Sequence, residues 1–298
     1  MTTKTTNSAD SVHSNGCIVY VQGGGRLLRD GASLFLQIAI FFSIPAIAAA
    51  ALAVAVPVSA VWKTLLLFLL QSVTTLVAPV VFMIAVSAVM HGDDMSLRCV
   101  VRRSLPWVPR YLWTNAHTSV IFWVPMGALV LLQSLISEPL ATNVTAHQVT
   151  AVGTGVVLVL TGLVLHSHTL LAPFLAVHGD MPGSLAALES WRLARRNLPL
   201  VMSTLVLASL PAALPLAFVG GALALLYSEQ PLMAIALPYF TGVVLQCIRL
   251  PLMPAAYVLY CDLWQSEQAR RVLEGDPPVP APVRLLLDLS RWRPSLAR

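Results

Sequence analysis

Residues able to do chemistry are sparse in this chain, and most lie inside apolar stretches. Three histidines stand out: His117, His166 and His168. Imidazoles facing each other between helices at matched depth can ligate haem or relay protons. His117 and His166 fall at comparable depth in neighbouring apolar segments. His166 and His168 are two residues apart, which sets them on different faces of a helix. Polar packing is the first reading for all three, and haem ligation is the alternative. Arg249 is the one formal charge within an apolar segment, and an ionisable group there marks a functional site by default. It lies roughly 26 Å along a helix from Leu232 at 1.5 Å per residue. That places it near an interface, where its long side chain reaches headgroups, so a structural role is favoured.

Asp180 closes His178-Gly179-Asp180, which echoes His91-Gly92-Asp93. A histidine beside a carboxylate suggests a metal site or an acid–base pair. The simpler reading is a turn: glycine ends each helix as a C-cap, and the histidine sits at the negative end of the helix dipole. Gly23-Gly24-Gly25 lacks the strand and the Lys-Ser/Thr of a phosphate loop, so it reads as a flexible joint. No G-x-S-x-G or H-E-x-x-H motif occurs. The four cysteines, Cys17, Cys99, Cys247 and Cys261, have neither C-x-x-C nor zinc spacing. No disulfide is expected. The expectation is therefore a non-enzymatic protein with no catalytic, metal or cofactor residues. Arg249, His117, His166, His168 and Asp180 are its only functional candidates.

The elements that hold these residues follow from composition. Of 298 residues, 57% are hydrophobic and only 10% are charged. A soluble domain carries about 25% charge, and a water-soluble fold of this size has nowhere to hide so much apolar surface. Six apolar stretches exceed the ~18–20 residues that cross ~30 Å of hydrocarbon. They are Ala32–Val56, Thr64–Met90, Tyr111–Ser137, Val149–Val177, Leu198–Tyr227 and Leu232–Tyr260. Continuous apolarity points to helices, because barrel strands alternate. Internal prolines such as Pro45, Pro79, Pro125, Pro173 and Pro211 are tolerated in membrane helices.

Orientation follows from the basic residues. Arg26 and Arg29 precede the first stretch. Arg98, Arg102, Arg103 and Arg110 follow the second. Arg192, Arg195 and Arg196 follow the fourth, and Arg270 and Arg271 follow the sixth. The connections on the other side, Pro57–Lys63, Glu138–Gln148 and Glu229–Pro231, hold only Lys63. Strict alternation then puts both termini in the cytoplasm. The arginine-rich basic set reads as a GC-rich bacterial genome and points to a bacterial inner membrane. It does not point to nucleic acid, which calls for a clustered basic face on a soluble fold. Residues 1–16 lack the apolar core of a cleaved signal, so the first apolar stretch is expected to be retained.

A threefold pattern overlies this order. Thr75-Leu76-Val77-Ala78-Pro79 and Thr169-Leu170-Leu171-Ala172-Pro173 match, with Leu252-Met253-Pro254 a looser third copy. Each leads to an aspartate: Asp93, Asp180 and Asp262. Basic amphipathic segments beginning Ser96-Leu97 and Ser184-Leu185 follow the first two, and GGGRLLRDGASLFL precedes the first stretch. Three hairpins with interfacial helices are the implied unit. In Ser190–Pro199 the arginines are expected to reach phosphates while Trp191, Leu193 and Leu198 face the acyl region. The expected domains are a polar cytoplasmic segment at 1–25, a six-helix membrane domain at 26–264 and a cytoplasmic tail at 265–298. Val283–Trp292 in that tail reads as a further amphipathic helix.

Several of these features resemble a broad group of bacterial membrane proteins related to the membrane domain fused to some glycerophosphoryl diester phosphodiesterases. The cues are Arg26-Leu27-Leu28-Arg29-Asp30, the Ala-Pro turns, Gly183-Ser184-Leu185-Ala186-Ala187-Leu188-Glu189-Ser190-Trp191, and Tyr257-Val258-Leu259-Tyr260-Cys261-Asp262-Leu263. The resemblance implies an all-α membrane domain without the catalytic barrel, and it carries no catalytic residue across. The expected role is that of a membrane scaffold, regulator or partner subunit. The bilayer with its anionic headgroups, and a membrane protein or cytoplasmic enzyme, are the expected partners. Transport or lipid handling is the second reading, and a haem protein or other membrane enzyme the third.

Overall fold

The computed structural model describes residues 8–55, 76–140, 144–227 and 231–274, together with positions 62, 65 and 69. Among these residues all regular structure is helical. In chain order the helices are α1 (Ser8–Asp30), α2 (Ala32–Ala55), α3 (Ala78–His91), α4 (Leu97–Ser104), α5 (Val108–Leu140), α6 (Val144–Thr169), α7 (Ala172–Val177), α8 (Gly183–Arg196), α9 (Leu198–Tyr227) and α10 (Pro231–Glu274). A short 3-10 turn, Leu105–Trp107, joins α4 to α5.

Local chemistry explains the breaks. Both Ala-Pro pairs open helices, with proline in the first turn of α3 and of α7. There the missing N–H has no intrahelical partner to lose. Gly92 ends α3 at φ 72°, in the left-handed region that glycine enters freely. Its N–H reaches the Val89 carbonyl, and the Asp93 N–H reaches that of Ala88. The C-cap expected at Gly92 is therefore present. Ser96 caps α4, its hydroxyl accepting from the Cys99 N–H.

The chain divides into two compact units, residues 1–109 with 203–298 and residues 110–202. In the first, α10 packs on α1, α2 and α3. Phe35 stacks on Phe82 with ring centroids 6.3 Å apart, and Ile38, Phe42, Met83, Tyr257 and Trp264 fill the same core. Helices α1 and α2 meet at 84°. Gly31 sits at the corner, where a Cβ would lie 2.6 Å from Val89 Cγ2 and 2.7 Å from Phe35 Cε2. In the second unit α8 packs on α6 and α7.

Among the described residues three segments, Leu97–Leu135, Val152–Val177 and Leu198–Leu216, are long and apolar enough to cross a membrane. The count rises to four if the bent pair Gly16–Asp30 and Ala32–Pro45 forms one span. This is fewer than the six expected. Much of the stretch Thr64–Met90 lies outside the described residues. Its described helix, Ala78–His91, has 14 residues, about 21 Å at 1.5 Å per residue, which is short of the hydrocarbon thickness. Within the most apolar window of Leu97–Leu135 only 6% of residues are buried. Trp123 and Leu131, each 66% exposed, show how far this apolar surface stands clear of the protein.

Other boundaries differ from expectation. The connection expected at Glu138–Gln148 is mostly helix, since α5 runs to Leu140 and α6 starts at Val144. The amphipathic segment expected at Val283–Trp292 lies outside the described residues. Helix α1 crosses residue 25, and α10 continues beyond residue 264 to Glu274.

Gly23-Gly24-Gly25 is no flexible joint. It lies inside α1, and Gly24 touches α10 so closely that a Cβ would be 2.5 Å from the Ala255 nitrogen. Such an approach between backbones is what glycine at a helix interface allows. Around Gly25 nothing lies within 4 Å of an added Cβ. Gly24→Leu should therefore destabilise the detergent-solubilised protein by about 1–3 kcal/mol or more through overpacking. Gly25→Ala should leave its thermal midpoint unchanged or slightly raised, by the helix preference of alanine. Paired thermal melts check both.

Candidate functional site

The candidate residues named by the sequence fall in both units. In residues 110–202, His168 is buried on α6, its ring centroid 4.0 Å from that of Trp191 on α8. Its Nδ1 lies 2.8 Å from the Val164 carbonyl one turn earlier. That contact ties the ring to its own helix. The carbonyl of His168 itself accepts from the Ser190 hydroxyl at 2.6 Å, which ties α8 to the end of α6. His166, two residues earlier, is exposed, as helical geometry requires. His117 on α5 is half-buried, with Nδ1 2.8 Å from the Trp113 carbonyl and its ring edge-on to Trp113 at 4.8 Å. His117 and His168 thus engage their own helices first.

Asp180 follows α7 and accepts from Arg110 Nη1. It has φ 54°, the one non-glycine residue at positive φ among those described. Here the expected glycine cap is corrected. The left-handed position falls on Asp180, one residue later than in the first copy. At Gly179 the constraint is space instead, since a Cβ would lie 2.5 Å from the Leu175 carbonyl oxygen. Aspartate tolerates this backbone better than most residues, and its carboxylate gains the Arg110 pair. Next to it, Gly183 lets α8 start against α5, where a Cβ would meet Trp113 Cδ1 at 2.8 Å and the Thr114 nitrogen at 2.9 Å.

The expected orientation of the α8 side chains is also corrected. Leu193 is buried within the protein, and Trp191 is half-buried against His168 rather than turned outward. The exposed apolar residues of this helix are Leu185 and Leu188. Packing on α6 and α7 takes the better apolar face, which the sequence reading had assigned to lipid.

In the first unit Arg249 is half-buried on α10. More than three turns beyond it lies a polar group that sequence reasoning missed as a site. Asp262 had been noted only as the third interfacial aspartate. It accepts from the hydroxyl of buried Tyr20 on α1. Burial first, then the hydrogen bond and charge of Asp262, push the Tyr20 phenol up, so it stays protonated as a donor. One turn further on, buried Glu267 accepts from Arg270 Nη2 at 2.6 Å and Nε at 2.9 Å, a two-pronged charged contact. Arg271 Nε adds a third donor at 3.2 Å. Tyr257, Tyr260 and Trp264 stack along α10 beside this group, with centroid steps of 6.2 and 6.4 Å. The Glu267–Arg270–Arg271 spacing was a readable signal. The Tyr20–Asp262 pair spans 242 residues and left none.

Among the described residues no cluster of three or more His, Cys, Asp or Glu side chains is placed to hold a metal. Of the hydrogen bonds and ion pairs above, Tyr20–Asp262, Ser190–His168 and Arg110–Asp180 join separate parts of the chain, and the others lie within single helices. Comparison with family models, with curated proteins and with solved structures yields no match. The likeness to phosphodiesterase membrane domains therefore rests on the sequence motifs alone.

A double-mutant cycle tests whether the α1–α10 clasp is energetic. Tyr20→Phe, Asp262→Asn and the pair should show a coupling of about 1.5–3 kcal/mol in unfolding free energy, as for a hydrogen bond to a charged group. Additive effects would mean that the two helices are held by packing alone.

Proposed function

We propose that this chain is a bacterial inner-membrane protein with six spans and both termini in the cytoplasm, acting as a non-enzymatic scaffold for a partner protein. The observation that carries the reading is the uncovered apolar surface of α5, where Trp123, Val124, Leu131, Leu132 and Leu135 are all exposed. Apolar patches of such extent mark a membrane or a protein interface. The basic residues support the orientation. Arg98, Arg102 and Arg103 are exposed on α4, and Arg192, Arg195 and Arg196 on α8, ahead of the apolar helices α5 and α9. The sixth span belongs to α10, whose 44 residues measure about 66 Å at 1.5 Å per residue. That is more than twice the hydrocarbon thickness. Near its far end Glu267 pairs with Arg270 and Arg271 of the same helix, and Val272 and Leu273 are exposed, the latter at 87% among the described residues. Exposed apolar side chains there suit a docking role.

Two measurements test this. Alkaline carbonate should leave the protein in the membrane pellet; release into the supernatant contradicts the membrane reading. A photo-crosslinking residue at Leu273 should give one discrete protein adduct in cells, and Leu273→Glu in an otherwise intact protein should reduce copurification of the same partner severalfold. Solute flux in liposomes together with no adduct would favour a transporter over a scaffold.

A further inference from the structure

We propose that the outward face of α8 is a seat for anionic phospholipid headgroups. This rests on the membrane reading above and adds to it a ligand and a named set of residues. At roughly 100° per residue, Leu185, Leu188, Arg192, Arg195 and Arg196 fall within about 100° of helical arc, and all five are exposed. The opposite face is spent on the protein. Ala186, Ala187, Ser190, Leu193 and Ala194 are buried, and the Ser190–His168 hydrogen bond fixes the helix in rotation. The exposed strip is thus held facing away from α6 and α7. It combines two apolar side chains in its first turns with three guanidiniums in its last turns.

This mixture specifies the occupant. Free phosphate would use the guanidiniums and leave Leu185 and Leu188 in water. An acidic protein would meet the charge but gain little from scattered leucines. A phospholipid surface uses both parts, because leucines enter the acyl boundary and arginines take phosphate in two-pronged contacts. Half-buried Glu189 lies beside the strip, with Oε2 4.0 Å from Arg192 Nη1. Three arginines on one exposed strip favour a net-anionic headgroup such as phosphatidylglycerol over zwitterionic phosphatidylcholine.

The test uses the full chain purified in a mild non-ionic detergent and titrated with either lipid, with retained lipid counted by native mass spectrometry. The wild type should hold phosphatidylglycerol roughly tenfold more tightly than phosphatidylcholine of matched chains. The triple variant Arg192→Gln/Arg195→Gln/Arg196→Gln should lose most of that preference, while the matching lysine triple keeps the larger part of it. Arg195→Gln alone should give a smaller loss in the same direction, which covers the case of a triple variant that does not fold. Equal retention of both lipids by the wild type overturns the proposal, as does a glutamine variant that keeps the full preference. Displacement of phosphatidylglycerol by inorganic phosphate at equal concentration also overturns it, by showing a simple anion site. Carbonate release of the wild type would sink the membrane reading itself, whereas a membrane-held protein without lipid preference sinks only this assignment.

Discussion

A polar group in an apolar surrounding must find its partner nearby, and the side chains of this protein obey that constraint repeatedly. Thr114, Thr154, Ser167 and Ser209 each donate to the carbonyl four residues earlier. The imidazoles of His91, His117 and His168 lie against carbonyls at the same spacing. Each bond keeps a polar atom on its own helix and leaves the flanks apolar. In hydrocarbon, where no water competes, this is how a serine or histidine becomes tolerable inside a span. The same habit accounts for His117 and His168, whose Nδ1 atoms lie against carbonyls of their own helices.

Longer-range order comes from few contacts, placed where the chain changes direction. Gly24 brings α1 against the α10 backbone, Gly31 makes room at the α1–α2 corner, and Tyr20 bonds Asp262. Within residues 110–202, Gly183 admits α8 beside α5, and Ser190 ties it to the end of α6. In both units small residues set the distance between helices and one polar bond sets their register. Close approach at small residues is how helices pack when apolar burial alone does not hold them together.

The helical elements were legible because apolar runs with basic flanks leave little choice of structure. The Ala-Pro helix starts and the Gly92 cap were legible too, since proline and glycine act through their own backbone geometry. The glycine run was misread because its purpose is a contact with Ala255, more than two hundred positions away in sequence. Trp191 and Leu193 of α8 were misassigned because periodicity shows that a face is apolar without showing whether protein or lipid covers it. The second cap moved from Gly179 to Asp180 because the Arg110 partner is unknown to the local sequence. Among the described residues three or four spans are found, and much of the second stretch lies outside those residues.

The central claim is that exposed apolar helix flanks are covered by lipid while the arginine-bearing helix α8 faces the cytoplasm. Single cysteines at Val130 and Arg195, in a chain with Cys17, Cys99, Cys247 and Cys261 replaced, test it with a membrane-impermeant maleimide. Val130 is 51% exposed in the structure, so the described residues do not shield it. The account predicts no labelling at Val130→Cys in intact vesicles of either orientation, and labelling at Arg195→Cys in inverted vesicles alone. Ready labelling of Val130→Cys without detergent, or of Arg195→Cys from the outer side, would contradict it.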